Sequence, residues 1–311
     1  MAYTSDKQFQ TFDLDEGIQL CIGDSRKLSL RCNEKAKLFV TSPPYWNLKD
    51  YGPEGQIGQT AYDEYIDELV GVFLECYDAA ADNAVLVVNI NSRRHKKQFY
   101  PIAFDLVAKM RGWKFWDHVI WYIPNALPQP NHYMERILDN KHESCLVFTK
   151  DGSSDFEFHK PRVPQKYVNA DPRNHKRNSR GRCIGNVLRI PAYRPPNIKK
   201  LGYHVAAYPE ELVAFFIECY TSKGDLVVDP FVGSGTTLKV CRAMNRRGLG
   251  FELNSDFLDL IKRRVDEYWE TPDWKKIDIL HSATAVTGSA SPRKVQFQKK
   301  DTRKTLFATP D

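Results

Sequence analysis

The residues best suited to chemistry form two short segments, each of which directly follows an apolar run. The first is Ser42-Pro43-Pro44-Tyr45, after the apolar residues 38–40. Two successive prolines fix φ and donate no backbone hydrogen bond, so this loop is stiff and presents a hydroxyl and an aromatic ring. A plain Pro-Pro turn is the simpler alternative.

The second segment is glycine-rich and runs from Asp229 to Thr237, after the apolar residues 226–228. Gly233 and Gly235 allow a sharp turn and a close approach to a ligand. Thr236 and Thr237 open a predicted helix whose N-terminus favours an anionic group. A structural tight turn would also explain the glycines.

Glu252 follows Asp229 by 23 residues, at the tip of the next predicted strand. A carboxylate in that position can accept hydrogen bonds from ribose hydroxyls, which indicates an adenosine-containing ligand. A nicotinamide is disfavoured, because position 238 is Leu where the Gly-x-Gly-x-x-Gly fingerprint needs its third glycine. A P-loop is disfavoured because no Gly-Lys-Ser/Thr follows.

Alternating apolar runs and amphipathic segments surround these loops and predict an α/β fold, a doubly wound seven-stranded sheet. The predicted strands are residues 18–22, 38–41, 84–90, 118–123, 144–149, 226–229 and 247–251. The predicted helices are residues 62–81, 210–221, 236–245 and 256–268. Such sheets bind ligands at the carboxyl ends of their strands, where both loops are expected.

Charge is distributed unevenly along the 311 residues, whose formal net charge is +6. Residues 151–200 hold 12 Lys and Arg against 4 Asp and Glu, so this stretch is more basic than the chain as a whole. It suits a polyanionic partner such as nucleic acid, although a solvated loop is an equal alternative.

The chain contains no run of about 18 apolar residues, so no membrane span is predicted. Seven scattered cysteines without a CxxC pair or clustered histidines indicate free thiols in a reducing cytosol, so no metal site is predicted. Because no membrane span is predicted, no membrane association is expected.

Both segments resemble motifs of the DNA amino-methyltransferases. Asp-Pro-Phe-x-Gly-Ser-Gly-Thr-Thr is similar to their motif I, which holds S-adenosylmethionine, and Ser-Pro-Pro-Tyr is similar to their catalytic motif. The segment 204–212 resembles motif X, although Val205 replaces the usual proline. The order of these motifs is that of the β group, and the resemblance spans about residues 18–268.

The resemblance implies a role for each matching residue. The acceptors for the target amino group are the residue at Ser42 and the Pro43 carbonyl, on the loop that includes Pro44, and the Tyr45 ring stacks on a base flipped out of the duplex. The implied cofactor residues are Asp24, Tyr208, Pro209, Asp229, Pro230, Phe231, Gly233, Ser234, Gly235, Thr236, Thr237 and Glu252. The implied DNA-binding residues are Arg173, Lys176, Arg177, Arg180 and Arg182.

Serine in the catalytic motif is associated mainly with methylation of cytosine N4, and aspartate mainly with adenine N6. The resemblance therefore favours cytosine N4, with adenine N6 as the alternative. A C5-cytosine enzyme is disfavoured because no cysteine here follows a proline to supply the thiolate nucleophile. A non-catalytic nucleic-acid-binding protein of the same fold and an RNA methyltransferase are further alternatives.

The same resemblance divides the chain into four parts. Residues 1–150 are the catalytic half of one methyltransferase domain, and residues 151–203 are the target-recognition region. Residues 204–280 are the cofactor half, and residues 281–311 are a basic tail expected to be poorly ordered. The expected partner is double-stranded DNA, with a cognate restriction endonuclease as a possible second partner. A cytoplasmic monomer or homodimer is expected.

Overall fold

The computed structural model describes residues 9–47, 55–127, 136–163, 182–192 and 208–271. Its centre is a nine-stranded mixed sheet in the order β1-β2-β13-β12-β3-β4-β8-β7-β11. These strands are β1 Gln10–Asp15, β2 Ile18–Ile22, β3 Ala36–Thr41, β4 Ala80–Ile90, β7 Trp113–Tyr122, β8 His142–Lys150, β11 Val187–Arg189, β12 Leu226–Asp229 and β13 Arg247–Glu252. The predicted α/β fold is confirmed, and all seven predicted strands lie in this sheet.

Two small two-stranded sheets complete the β structure of the described residues. One is a hairpin of β5 Arg93–His95 and β6 Gln98–Tyr100, and the other pairs β9 Arg162–Val163 with β10 Arg182–Cys183. The sequence pattern did not predict the hairpin or the edge strands β1 and β11. These elements are short or exposed and therefore lack a long apolar run.

Helices cover both faces of the sheet. The helices are α1 Tyr62–Ala79, α2 Ile102–Lys109, α3 Glu210–Tyr220, α4 Thr236–Ala243 and α5 Leu258–Asp266. Alternate strand residues point to opposite layers: Leu38 and Val40 pack with α3 and α4, whereas Phe39 packs with α1. This arrangement is the double winding that the alternating pattern predicted.

Helix ends depart from the prediction where the backbone changes locally. The helix predicted for residues 62–81 ends at Ala79, because Ala80 begins β4 and pairs with Ala36. The helix predicted for residues 236–245 ends at Ala243, and Asn245 has a φ of 57°. A residue in this left-handed conformation is a common helix stop. The helix predicted for residues 256–268 begins as a 3₁₀ turn over Ser255–Phe257 and continues as α5. Helix α2 was not predicted.

One edge of the sheet brings together the loops that carry the predicted site residues. Strands β2, β13, β12, β3 and β4 run parallel to one another, so their carboxyl ends meet at this edge. Strand β8 is antiparallel to β4 and therefore begins here, at His142. The sheet thus places segments more than 180 residues apart in the chain at a common edge.

Candidate functional site

The stiff loop Ser42-Pro43-Pro44-Tyr45 follows β3 directly and opens on a cavity of about 330 Å³. Helix α1 fastens it from one side, because the Tyr65 hydroxyl donates a hydrogen bond to the Pro44 carbonyl at 2.9 Å. Tyr65 is completely buried. The loop is therefore held by the core as well as by its prolines.

The Tyr45 side chain is fixed by Glu143, a half-buried acid on another strand. Its hydroxyl donates to Oε2 of Glu143 at 2.8 Å, and the side-chain amide of Asn89 donates to the same oxygen at 2.7 Å. The Cys145 thiol donates to the Asn89 amide oxygen at 3.3 Å, which sets the orientation of that amide. Asn89 and Glu143 both line the cavity.

Burial controls the protonation of this pair. Burial raises the pKa of Glu143, and the hydrogen bonds from Tyr45 and Asn89 only partly offset that effect. Burial also raises the pKa of Tyr45 well above its usual value, and the negative charge of Glu143 adds to the shift. Tyr45 is therefore a neutral hydrogen-bond donor at physiological pH.

The glycine-rich loop lies between β12 and α4. Gly233 and Gly235 have φ values of 53° and 90°, a region that favours glycine. A Cβ at Gly235 would also lie 3.1 Å from the Ile261 side chain, so α5 packs closely against the loop. The Val232 amide donates to the Phe251 carbonyl at 2.9 Å, which ties the loop to β13.

Asp229 is the buried hub beneath this loop. Its Oδ1 accepts hydrogen bonds from the Thr41 hydroxyl at 2.6 Å and the Phe231 amide at 3.0 Å. Its Oδ2 accepts from the hydroxyls of Thr237 at 2.5 Å and Tyr208 at 3.2 Å. Burial raises the pKa of Asp229, and these hydrogen bonds act in the opposite direction. Through Thr41, the hub joins the base of the glycine-rich loop to the base of the Ser42–Tyr45 loop.

A buried ion cluster supports the same loop from behind. The Arg264 guanidinium donates to Oε1 of Glu210 at 2.8 Å and contacts the hydroxyls of Ser234 at 3.4 Å and Thr236 at 3.3 Å. Lys239 also donates to Oε1 of Glu210, at 3.2 Å. Helices α3, α4 and α5 are thus locked together around the start of α4.

Glu252 closes β13 and lines the cavity beside Gly233. Its two carboxylate oxygens accept hydrogen bonds from the backbone amides of Gly233 at 3.0 Å and Asn254 at 2.9 Å. Burial nevertheless raises the pKa of Glu252 to about 7. A carboxylate has about four lone-pair sites, so it keeps capacity to accept from ligand hydroxyls.

Asp24 lies at the end of β2 on the same cavity. Its carboxylate pairs with Arg26 at 2.7 Å and also accepts from the Arg26 amide at 3.0 Å. Burial acts to raise the pKa of Asp24, but the hydrogen bonds from Arg26 outweigh it and the net shift is downward. Arg26 also donates to the Gly55 carbonyl at 3.0 Å, so this corner of the cavity is already ordered.

The structure brings most of the predicted catalytic and cofactor-binding residues around one cavity. Those that line it are Asp24, Ser42, Pro43, Pro44, Tyr45, Tyr208, Pro230, Phe231, Gly233, Ser234 and Glu252. The predicted residues that instead lie in the supporting structure are Pro209, Asp229, Gly235, Thr236 and Thr237. Pro209 precedes helix α3, Asp229 ends β12, and Gly235, Thr236 and Thr237 form the start of α4. Their contacts fit a role in shaping the site.

Two polar residues of the cavity wall, Glu143 and Asn89, were not predicted as site residues. Asn89 lies in the apolar run 84–90 that predicts a strand, and Glu143 directly precedes the run 144–149. The available signal was an acid at the start of such a run, which is costly to bury without a partner. The pairing of β4 with β8, which brings the two together, cannot be read from either segment alone.

Most of the predicted DNA-binding residues are not among those that the structure describes. Arg173, Lys176, Arg177 and Arg180 lie outside the described residues, as do residues 204–207 of the motif X segment and the tail at 281–311. Arg182 belongs to β10, but its side chain is not described. These assignments stay predictions.

Among the described residues, no group of three or more His, Cys, Asp or Glu side chains could hold a metal ion. None of the helices in the described ranges is both long and apolar enough to cross a membrane.

Comparison with protein families gives one match that covers most of the chain. The N6/N4 methyltransferase family, described as DNA methylase, matches residues 36–263. Among curated relatives, the type II methyltransferase M.MwoI of Methanothermobacter wolfeii is 32% identical over 265 residues, covering 82% of this chain. The chain spans only 35% of the length of that relative.

Solved structures share the fold at low sequence identity. The PvuII DNA methyltransferase, described as cytosine-N4-specific, has a TM-score of 0.59 at 21% identity, covering 85% of this chain and 91% of its own. A protein described as a DNA modification methylase from Thermus thermophilus, complexed with S-adenosyl-L-methionine, has a TM-score of 0.53 at 24% identity. That match covers 81% of this chain and 96% of the other.

Proposed function

Because the chain belongs to the N6/N4 DNA methylase family, we propose that it methylates an exocyclic amino group of a base in duplex DNA, with S-adenosylmethionine as methyl donor. The observation that carries this proposal is that the Ser42–Tyr45 loop and the glycine-rich loop open on one cavity. Asp229, which accepts from Thr41, fixes the two loops relative to each other. A two-substrate transfer needs this kind of fixed geometry between its binding sites.

The residues of the glycine-rich half fit the proposed cofactor. Glu252 offers a carboxylate to ribose hydroxyls, and the positive φ of Gly233 brings backbone close to the same place. Phe231, Phe251 and Phe257 add apolar wall for an aromatic ring and an aliphatic chain. A cavity of about 330 Å³ lies at the lower end of the ~300–1,000 Å³ range of small-molecule sites. The bound cofactor supplies an electrophilic methyl group.

The part of the cavity that is lined by the Ser42–Tyr45 loop fits a flipped base. Ser42 and the Pro43 carbonyl are the acceptors proposed for the amino hydrogens, which turns the nitrogen lone pair toward the methyl group. The Tyr45 ring is the proposed stacking surface, because aromatic contacts stabilise an extruded base. Glu143 would act as a positioning residue: by accepting from the Tyr45 hydroxyl it holds the ring in one orientation. Asn89 supports Glu143 in turn.

Cytosine N4 is the proposed target atom, with adenine N6 as the alternative. Ser42 supports cytosine, since the serine form of the motif is associated mainly with N4 methylation. The PvuII enzyme is described as cytosine-N4-specific, but at 21% identity the likeness carries the fold and leaves the target base to experiment. We also propose that residues 151–203 recognise a short duplex sequence. A restriction endonuclease is the proposed partner in the same system.

Methyl transfer from isotopically labelled S-adenosylmethionine to mixed-sequence duplex DNA tests this function. Digestion to nucleosides and mass analysis should reveal N4-methylcytosine. N6-methyladenine would support the alternative base. No labelled nucleoside from DNA, with cofactor binding intact, would favour a non-catalytic protein, and labelled RNA nucleosides would identify an RNA methyltransferase. The matched control is Tyr45→Ala, which keeps the glycine-rich half.

A further inference from the structure

A strongly basic hairpin, β5 and β6, stands beside the catalytic loop. Its register pairs Arg93 with Tyr100 and His95 with Gln98, so Lys96 and Lys97 alone form the turn. Their φ values are 48° and 70°. Two positive φ values are the signature of a type I′ turn, for which Asn-Gly is strongly preferred. Two lysines here are conformationally strained, and such strain clusters at functional sites.

The exposed surface of the hairpin carries cations that no described carboxylate neutralises. Arg94, Lys96 and Lys97 are all exposed. The Arg94 guanidinium lies over the Phe99 ring at 5.2 Å, which holds it in place without removing its charge. Within the described part of the chain, none of the three forms an ion pair with an acidic side chain. The hairpin therefore presents a concentrated positive charge.

The base of the hairpin is fastened to the catalytic loop. Trp46, the residue after Tyr45, packs its ring 4.4 Å from Tyr100 and 5.5 Å from His95 between centroids. The Arg93 guanidinium donates to the Trp46 carbonyl. The hairpin also begins, at Arg93, only four residues after Asn89 of the cavity wall. Its charges consequently have a fixed position relative to the cavity.

We propose that the hairpin Arg93–Tyr100 is a phosphate-binding element that grips the DNA backbone next to the base in the cavity. This inference rests on the proposed function. Extruding a base requires the backbone on either side to be held, and Lys and Arg hold it by neutralising phosphates. The element is separate from the basic segment 151–203, which the sequence indicated as the DNA-recognition region.

The double variant Lys96→Asn, Lys97→Gly tests the proposal, because it removes two charges and installs the preferred type I′ pair. The hairpin should persist, with thermal stability equal to or above that of the wild type. Binding to a fluorescent duplex of mixed sequence, about 30 base pairs long, should weaken about tenfold at about 50 mM salt. The log–log slope of affinity against salt should become shallower by about two.

Two further variants make the result specific. Lys96→Gln, Lys97→Gln removes the same charges without changing the turn preference, and it replaces the first variant if that one misfolds. Lys114→Gln, Lys223→Gln removes two exposed lysines near the amino ends of β7 and β12, at the opposite edge of the sheet. This control should retain most of the wild-type affinity and slope.

The outcomes separate the hairpin from the proposed function. Wild-type protein that methylates DNA, together with hairpin variants whose affinity and salt slope are unchanged, would overturn the inference alone. An equal loss in the Lys114/Lys223 control would also overturn it, by showing a general effect of net charge. Wild-type protein that neither binds nor methylates DNA would remove the proposed function itself.

Discussion

Asp229, which is buried, and Glu143, which is half-buried, are both acids at the edge of the sheet that holds the cavity, yet their hydrogen bonds differ. Asp229 accepts four hydrogen bonds, two on each oxygen, all from groups of this chain. Glu143 accepts from Tyr45 and Asn89 on a single oxygen and lines the cavity. All hydrogen-bonding positions of Asp229, the acid of the glycine-rich motif, are thus occupied by groups of this chain, whereas Glu143, which lies outside both motifs, is at the cavity wall.

This contrast predicts which residues build the site and which are placed to meet a ligand. Asp229, Thr237 and Arg264 hold two loops and three helices in register. Glu143 and Glu252 have few partners from the chain and stand at the cavity wall. Substitutions in the first group should act on stability, and substitutions in the second on binding or turnover.

Asp229→Ala should have the largest effect, and it should fall on stability. The change leaves the Thr41, Tyr208 and Thr237 hydroxyls and the Phe231 amide without their acceptor. Since each buried unsatisfied donor costs about 1–3 kcal/mol, the free energy of unfolding should fall by at least ~3 kcal/mol. Chemical denaturation measures this loss. Asp229→Asn keeps the shape and should cost less; a fully stable Asp229→Ala would contradict the hub.

The raised pKa of Glu252 predicts that the stability of the protein without cofactor depends on pH. Its folded pKa of about 7 lies above the ordinary 4.5, so the folded state binds the proton more tightly. The resulting stabilisation is fully present below about pH 4.5 and is lost as the pH rises through about 7. One pKa unit corresponds to about 1.4 kcal/mol, which bounds the loss at about 3 kcal/mol. Glu252→Gln should flatten this part of the stability–pH curve, and parallel curves would contradict the shift.

Glu252→Ala should weaken cofactor binding, whereas substitutions of Tyr45 should act on DNA methylation. A hydrogen bond to a charged group contributes about 1.5–3 kcal/mol, so the Kd for S-adenosylmethionine should rise about 10- to 150-fold. Calorimetric titration of the folded variant gives this number. An unchanged Kd would remove the ribose role of Glu252.

Tyr45→Ala should reverse that pattern. Stacking of a base on an aromatic ring contributes about 1–3 kcal/mol, so kcat/KM for DNA should drop about 5- to 150-fold while the cofactor Kd stays near the wild-type value. Steady-state methylation and cofactor titration are measured on the same preparation. Equal loss of cofactor affinity would place Tyr45 in the cofactor half instead.

Tyr45→Phe isolates the Glu143 contact and should have the smallest effect. The ring is kept and only the hydrogen bond to the Glu143 carboxylate is lost. Such a bond is worth about 1.5–3 kcal/mol, of which only the part that orients the ring acts on methyl transfer. The rate of methyl transfer should fall about two- to tenfold. Glu143→Gln should behave similarly, because it retains an acceptor but removes the charge. A loss as large as that of Tyr45→Ala would mean that the hydroxyl, and not the ring, carries the role.

The sequence identified the central strands because each has its own signature. The parallel strands β3, β12 and β13 are covered on both faces and therefore read as continuous apolar runs. The edge strand β1 and the hairpin are exposed and have no such signature, so they were missed. Helix ends were shifted by one to several residues where a backbone change, as at Asn245 or Ala80, stopped the helix.

The sequence by itself determined the local chemistry: a stiff Ser-Pro-Pro-Tyr loop, a glycine-rich turn into a helix, and an acid after the next strand. Each of these is a property of neighbouring residues. Only the tertiary structure decided which acids face the cavity, because that depends on strand pairing between segments such as β4 and β8. It also decided that Asp229 is saturated by donors that include hydroxyls 8 and 188 residues away. Burial and hydrogen-bond saturation are set by the packing of distant segments, and no local pattern records them.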